Sequence, residues 1–185
     1  MGFCVSRNQL QALLDSWQAD YDVYAPRRFS GGGRFSDTDC IRYGKILRPE
    51  EIEFEEKSQY SFKEVLTPVS QPLFFFAEGH TKEADGPRKG AVIFLRSCDL
   101  HALKRLDDMY LHNGPGDYYY HRLREHLKIV LMGCKHTYEN CFCVSMGTNI
   151  SGNYDLSIDS QPDGTYHLDC KEPFGKPFCK AWVAL

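Results

Sequence analysis

The first sixty residues alternate between apolar and polar positions in two different ways. Residues 6–18 show helical spacing, and Ser6 is a residue type that caps helix N-termini. The apolar face of this predicted helix consists of Leu10, Leu13, Leu14 and Trp17. Downstream, "YDVYAP" predicts a short strand that Pro26 ends, and "RRFSGGGRFSDTDC" predicts a glycine-rich loop. In "EIEFEE", Ile52 and Phe54 alternate with acids, which predicts a half-buried strand.

The middle of the chain changes to continuous apolar runs. "GAVIFL" and "LKIVLMG" are typical of strands that are covered on both faces. Between them, "DLHALKRLDDMYL" and "DYYYHRLREH" predict two helices, and the apolar face of the first comprises Leu100, Leu103, Leu106 and Met109. Two buried strands joined through helical sequence form a βαβ unit, whose strands are parallel.

The end of the chain returns to short alternating segments. "YDLSIDS" and "TYHLDC" flank the turn sequence "QPDG", which predicts a β-hairpin. The predicted fold class is therefore α/β, with a mixed sheet, a parallel βαβ core and a C-terminal β-hairpin. A chain of 185 residues is close to the common size of one domain, so residues 1–185 are predicted to form a single α/β domain.

Composition excludes several functional classes. The net charge of −3 gives no electrostatic reason to expect nucleic acid or an anionic membrane as a partner. The apolar runs are far too short to cross a bilayer, and the N-terminus lacks a secretion signal. Eight cysteines in such a chain favour metal ligation or redox chemistry over structural disulfides, and indicate a cytoplasmic protein.

Four of the cysteines are predicted to meet at one edge of the sheet. Cys98 follows the first buried strand and Cys134 follows the second, and parallel strands end at the same edge. "CKHTYENCFC" keeps Cys141 and Cys143 close to Cys134. These four residues are the predicted cofactor-binding and metal-binding set, and no catalytic acid–base pair or nucleophile is recognisable.

Four thiolates suit either zinc or an iron–sulfur cluster. Structural zinc sites usually draw on two close cysteine pairs, whereas this set contains one, so a [4Fe–4S] cluster is favoured over zinc. A helix that opens at Cys98 and Asp99, together with the charge of Arg96, favours an anionic group. Gly133 and Gly147 are expected to let backbone amides approach the sulfurs. Buried structural thiols are the interpretation without a function, which the gathering of four cysteines at one place disfavours. A zinc-stabilised interaction module and a thiol–disulfide redox protein are the functional alternatives.

The other candidate ligands have simpler interpretations. Cys4, Cys40, Cys170 and Cys179 are predicted to be structural thiols, although the last two could pair or bind a metal. His101 is expected to face solvent or to pack at its margin. His136, inside the cysteine segment, is expected either to donate a hydrogen bond near the site or to lie at the surface.

Several segments together resemble a known family. "GGGRFSDTD", "RSCDLHALKRLDDMYLHNG", "LREHLKIVLMGC" and "ENCFCVSMGTN" are similar to the electron-relaying iron–sulfur subunit of the anaerobic sulfite reductase, which is related to the beta subunits of cytoplasmic sulfhydrogenases. The resemblance implies an iron–sulfur electron carrier. The positions that match the family's cysteines are Cys98, Cys134, Cys141 and Cys143.

The resemblance also implies partners. In the sulfite reductase complex, a flavin- and nicotinamide-binding subunit supplies electrons, and a sirohaem subunit reduces sulfite to sulfide. The iron–sulfur subunit relays electrons between them, so this chain is expected to be a component of an oxidoreductase without turnover of its own. Family members continue into a ferredoxin-like half with C-x₂-C-x₂-C-x₃-C runs, which this sequence lacks, so it is expected to be the N-terminal domain of a longer protein.

Overall fold

The computed structural model describes residues 2–171. The helices are α1 (Arg7–Gln18), α2 (Lys63–Leu66), α3 (Ser97–Leu111) and α4 (Tyr118–Glu125), and a 3₁₀ turn covers Pro49–Glu51. The strands are β1 (Gly2–Val5), β2 (Tyr21–Phe29), β3 (Cys40–Lys45), β4 (Phe74–Ala77), β5 (His80–Glu83), β6 (Gly90–Arg96), β7 (Leu127–Met132), β8 (Leu156–Ser160) and β9 (Tyr166–Cys170).

A seven-stranded mixed sheet forms the centre of the molecule, in the order β1-β9-β8-β7-β6-β2-β3. Strands β2, β6, β7 and β8 are mutually parallel neighbours, whereas β1, β3 and β9 are joined antiparallel. Strands β8 and β9 pair from Ser160 and Tyr166 outward across the "QPDG" turn. The predicted fold class, with a parallel βαβ core and a C-terminal hairpin, is confirmed.

Alternate residues of β6 enter two separate cores. Val92 and Phe94 pack into the core beneath α1, and Ile93 and Leu95 pack into the core beneath α3 and α4. A strand that is buried on both faces needs apolar side chains at every position, which explains the continuous run in the sequence. This double burial gives the carboxyl end of β6 a fixed position in the molecule.

Helix α1 agrees with the sequence prediction. Ser6 accepts a bond from the backbone N–H of Gln9, and the Gln9 side chain accepts one from the Ser6 N–H, which completes a capping box. All four predicted apolar positions of α1 are buried. In α3, by contrast, only Leu100, Leu103 and Leu106 are buried; Met109 is 52% exposed, so its predicted place in the core is wrong.

Pro26 does not end its strand. Strand β2 continues to Phe29 because Pro26 pairs with Tyr43 on β3 while its carbonyl faces away and accepts a bond from the Glu53 N–H. The amide N and the carbonyl of a strand residue lie on the same side of the strand. For Pro26 this is the side of β6, and the pairing between β2 and β6 ends at Tyr24. Proline therefore costs no ladder hydrogen bond at this position.

"EIEFEE" forms no strand. Ile52 is buried and Phe54 packs against the core, so the alternation correctly predicts burial. The backbone carbonyls of Phe54 and Glu56, however, accept bonds from an arginine side chain instead of a strand. Backbone carbonyls that accept hydrogen bonds from a side chain do not need the hydrogen bonds of a neighbouring strand.

Candidate metal centre

The carboxyl ends of β6 and β7 carry the first two predicted ligands. The strands are parallel neighbours, and their last paired residues are Arg96 and Met132. Cys98 lies two residues beyond the first of these and Cys134 two residues beyond the second. The prediction that both cysteines lie at one edge of the sheet is confirmed.

The crossover between β7 and β8 carries the other two predicted ligands, Cys141 and Cys143. Parallel neighbours are usually joined through a helix, but residues 133–155, all of which the structure describes, contain none. Short backbone bonds fold this segment instead: the Cys141 N–H donates to Tyr138 O at 3.1 Å and the Thr148 N–H donates to Cys143 O at 2.8 Å. Asn140 has a φ of 64°, a left-handed turn just before Cys141. The crossover thus folds back toward the strand ends.

All four predicted cysteines line one cavity of about 190 Å³. Its wall also includes Ser97, His136, Thr137, Tyr138, Phe142, Val144, Ser145, Thr148 and Asn149. A water molecule occupies about 30 Å³ of liquid, so the cavity has room for roughly six of them. The cavity as a whole, which nine other residues also line, therefore has more room than a single metal ion needs.

The surroundings of Cys98 favour its neutral thiol form. Cys98 is half-buried at the start of α3. Its pKa is raised to about 11, chiefly by burial, then by the charges of Asp99, Cys143 and Cys134, while Lys57 acts in the opposite direction. Four thiolates around this cavity would repel one another strongly, so a cation or a cationic cluster core is needed to hold them ionised together.

Arg96 lies directly behind Cys134. Its side chain is buried, with 3% exposure, and one guanidinium nitrogen lies 3.4 Å from the Cys134 Sγ. The other nitrogen donates to Phe54 O at 3.0 Å and Glu56 O at 3.1 Å, and the guanidinium stacks on the Tyr138 ring at 4.8 Å. A positive charge was predicted at this position, but nothing in the sequence signals that residues 54–56 form its binding partners.

The four thiols are soft donors, the type that binds zinc and iron–sulfur clusters. Within residues 2–171, no three His, Cys, Asp or Glu side chains are arranged to hold a single metal ion. Four soft thiols nevertheless surround one space, at the N-terminus of a fifteen-residue helix whose dipole favours negative charge. The buried hydroxyl of Ser97, which lines the cavity, has no hydrogen-bond partner within the described chain and is free to donate to a sulfur.

Two of the predicted supporting residues act differently from expectation. The Gly133 N–H donates to Ile158 O within the sheet, and the Gly147 N–H donates to Val144 O within a turn, so neither amide is available to a sulfur. Gly133 instead allows a close approach: a Cβ there would lie 1.7 Å from the Asp159 carboxylate. His136 is exposed at the cavity wall beside Tyr138, one of its two predicted placements.

The remaining cysteines lie elsewhere. Cys40 is buried at the start of β3, as a structural thiol should be, whereas Cys4 on β1 is exposed. Cys170 on β9 is disulfide-bonded and so offers no thiolate. Cys179 lies outside the described residues.

His101 has a role that sequence reasoning missed. Its Nε2 lies 2.9 Å from Ile150 O, so α3 holds the far end of the cysteine crossover. The contact joins residues 49 positions apart, and no local sequence pattern signals a bond of that kind.

Comparison with known proteins gives one relevant relative. The chain is 30% identical over 132 residues to sulfhydrogenase 2 subunit beta of Pyrococcus furiosus, and the match covers 67% of this chain and 39% of the relative. The chain thus spans less than half the length of that relative. No family model matches the sequence, and no solved structure matches it.

The predicted relation to sulfhydrogenase beta subunits is therefore supported at the level of distant homology. Among residues 2–171, no helix is long and apolar enough to span a membrane.

Proposed function

We propose that this chain carries one [4Fe–4S] cluster on Cys98, Cys134, Cys141 and Cys143 and transfers electrons within a sulfite-reducing complex. One observation carries the proposal. Thiols from two strand ends and one crossover line a single cavity beside the buried guanidinium of Arg96. Distant similarity to a sulfhydrogenase subunit supports a role in a redox enzyme complex.

A bound cluster supplies reversible one-electron chemistry, and the chain's residues hold and tune it. Cys98 and Cys134 attach to the rigid sheet, which fixes two ligands before the cluster assembles. The Cys141–Cys143 pair closes the remaining side, with Phe142 between them facing solvent at 67% exposure. Arg96 places a positive charge 3.4 Å from the Cys134 sulfur, and the unpartnered Ser97 hydroxyl lines the same cavity; a positive charge or a hydrogen-bond donor at a sulfur favours the reduced state.

The mouth of the site suits a protein partner. Phe142 and Val144 belong to the cavity wall and are largely exposed, and Met146 and Ile150 in the same segment are exposed as well. Residues 140–153 contain no charged side chain. An exposed apolar surface of this kind marks an interaction site, and it would bring a redox partner close to the cluster.

The partners proposed are those of the anaerobic sulfite reductase. A flavin-containing, NADH-oxidising subunit would donate electrons, and a sirohaem subunit would accept them for sulfite reduction in the cytoplasm. The relative is named as a sulfhydrogenase subunit, so the similarity supports a redox complex in general. The sulfite reductase subunits are proposed as partners in addition to it. A zinc-stabilised interaction module and a thiol–disulfide protein use the same four thiols and remain the rivals.

Anaerobic purification separates the three functions. We expect brown protein with about four irons and four acid-labile sulfides per chain, bleached by one equivalent of a strong reductant and restored by an oxidant. Zinc at one per chain without sulfide would support the interaction module. Metal-free protein with a reducible disulfide among the four cysteines would support the thiol-exchange function.

A further inference from the structure

The surroundings of Arg96 are unusual for a buried cation. Its side chain reaches five acceptors: the carbonyls of Phe54, Glu56 and Gly133, the Cys134 sulfur and the ring of Tyr138. These groups belong to two segments of the chain that no strand pairing joins. Arg96 therefore helps to fasten residues 54–56 to residues 133–138, together with the Lys135–Glu55 ion pair and the bond from the Tyr138 hydroxyl to Phe54 O.

No carboxylate of the described chain forms an ion pair with this buried charge. Among the ion pairs of residues 2–171, none involves Arg96, although Arg27, Arg28, Arg42, Arg122 and Arg124 each have a carboxylate partner. The Asp99 and Glu55 carboxylates attract the Arg96 charge only from beyond ion-pair distance, and a buried cation without a closer anion is costly. The sulfur of Cys134 is the one acceptor of Arg96 that can carry a full negative charge at neutral pH once it ligates a metal.

We propose that Arg96 is a positioning residue for the cluster: its guanidinium fixes Cys134 against the cavity wall, and its charge offsets that of the thiolate-bound cluster and raises the reduction potential. This inference rests on the proposed function. A [4Fe–4S] cluster with four thiolates is an anion, so a cation at hydrogen-bond distance from one ligand sulfur stabilises the added electron.

The geometry requires arginine and not merely a positive charge. The planar fork sends one nitrogen to Gly133 O and Cys134 Sγ and the other to the 54–56 segment, while its face lies on Tyr138. Lysine has one nitrogen and no planar face, so it keeps the charge but loses part of the fastening. Arg96→Lys and Arg96→Gln therefore separate the two roles.

The experiment measures the midpoint potential and the amide hydrogen exchange of residues 54–58 and 133–138 in wild type, Arg96→Lys, Arg96→Gln and Arg124→Gln. Arg124 is the matched control, because it is a part-buried arginine that binds Asp107 at 2.9 Å on the helices, away from the cavity. We expect Arg96→Gln to lower the equilibrium constant for reduction at least about tenfold, which is about 59 mV for one electron. Arg96→Lys should stay closer to wild type, and Arg124→Gln should leave the potential unchanged.

Exchange in metal-free protein tests the fastening alone. Both Arg96 variants should exchange faster than wild type at residues 54–58 and 133–138, and Arg124→Gln should not. A wild-type potential in Arg96→Gln, or equal shifts in Arg96→Lys and Arg96→Gln, would overturn the charge role. Unchanged exchange in both Arg96 variants would overturn the positioning role. Wild-type protein without iron and sulfide would instead refute the proposed function and the charge role with it, while exchange would still decide the positioning role.

Discussion

Two cavities among the described residues contain cysteine side chains, and they differ in how those side chains are held. The larger, about 460 Å³, lies on the open face of β1, β9 and β8 and includes Cys4, His167, Asp159 and Asp169. Cys4, His167 and Asp159 occupy paired positions on these three adjacent strands. The smaller cavity, about 190 Å³, collects its four thiols from a helix start, a strand end and a crossover.

The contrast shows that the volume of a cavity and its residue types do not by themselves make a metal centre. Side chains on neighbouring strands stand side by side, about 5 Å apart at Cβ, and do not converge on a point. The open face mixes a thiol, an imidazole and carboxylates, and its lining contains no lysine or arginine. The cysteine cavity has four thiols and one histidine but no carboxylate in its lining, and beside it lie a helix N-terminus, an unpartnered hydroxyl and a buried arginine.

Replacing cysteines in the two cavities should give the strongest response. Cys98→Ser and Cys134→Ser should each lose most of the iron and sulfide, since each removes a ligand from the rigid side of the cluster. Cys4→Ser and Cys40→Ser are the matched controls and should retain both. Iron and sulfide assays on anaerobic protein give the answer, and a dispensable Cys98 would refute the ligand assignment.

The second largest difference between the two cavities should be the reactivity of their thiols toward alkylating reagents. In metal-free protein the pKa of Cys98 is raised from 9.0 to about 11, mainly because burial disfavours the thiolate. Its alkylation rate should therefore rise about tenfold for each pH unit from 8 until it levels off near 11. The folded state holds this proton more tightly than the unfolded chain, so the associated stability is present below pH 9 and is lost as pH rises through 11.

Exposed Cys4 is the reference for that measurement, and mass spectrometry of alkylated peptides follows both residues. Equal rates for Cys98 and Cys4 at about pH 8 would mean that the cysteine cavity is open to solvent and that burial does not set its electrostatics.

Gly133→Ala should disturb the packing between the end of β7 and Asp159, which lines the larger cavity. The new methyl group would lie 1.7 Å from the Asp159 Oδ1, so the carboxylate must move. Overpacking of this kind costs about 1–3 kcal/mol in the free energy of unfolding. Asp159→Ala in the same chain should recover most of the loss in a denaturation experiment. A Gly133→Ala variant as stable as wild type would show that the Asp159 carboxylate moves aside without cost.

Ser97→Ala should have the mildest consequence. The hydroxyl has no partner within the described chain, so its removal should not lower the melting temperature measurably. The variant should retain the iron but shift the midpoint potential to more negative values, because a donor to a sulfur is lost. The shift should be smaller than that of Arg96→Gln, and an unchanged potential would mean that the hydroxyl does not contact the cluster.

The parts of this fold and site that could be predicted from the sequence depend on local pattern and topology. Continuous apolar runs predicted β6 and β7, and the rule that parallel strands end at one edge placed Cys98 beside Cys134. Non-local contacts were not predictable. Strand β2 continues through Pro26 because its pairing with β6 ends at Tyr24. "EIEFEE" forms no strand, and Arg96 binds the backbone carbonyls of Phe54 and Glu56 in this segment.

The supporting residues of the site show the same limit. The bonds from Arg96 to Phe54 and Glu56 and from His101 to Ile150 join residues 40 or more positions apart. The choice of Gly133 reflects the position of Asp159, which belongs to another strand. No sequence period encodes such pairs, so the ligands could be named from the sequence and their surroundings could not.

Iron X-ray absorption of the anaerobic chain decides whether the four cysteines share one cluster. Four cysteines around one cluster predict sulfur neighbours at about 2.3 Å, a distinct iron–iron shell and no imidazole nitrogen. The same spectrum should be absent from Cys98→Ser and unchanged in Cys4→Ser. Iron without an iron–iron shell, or zinc in place of iron in protein never exposed to oxygen, would contradict the shared cluster.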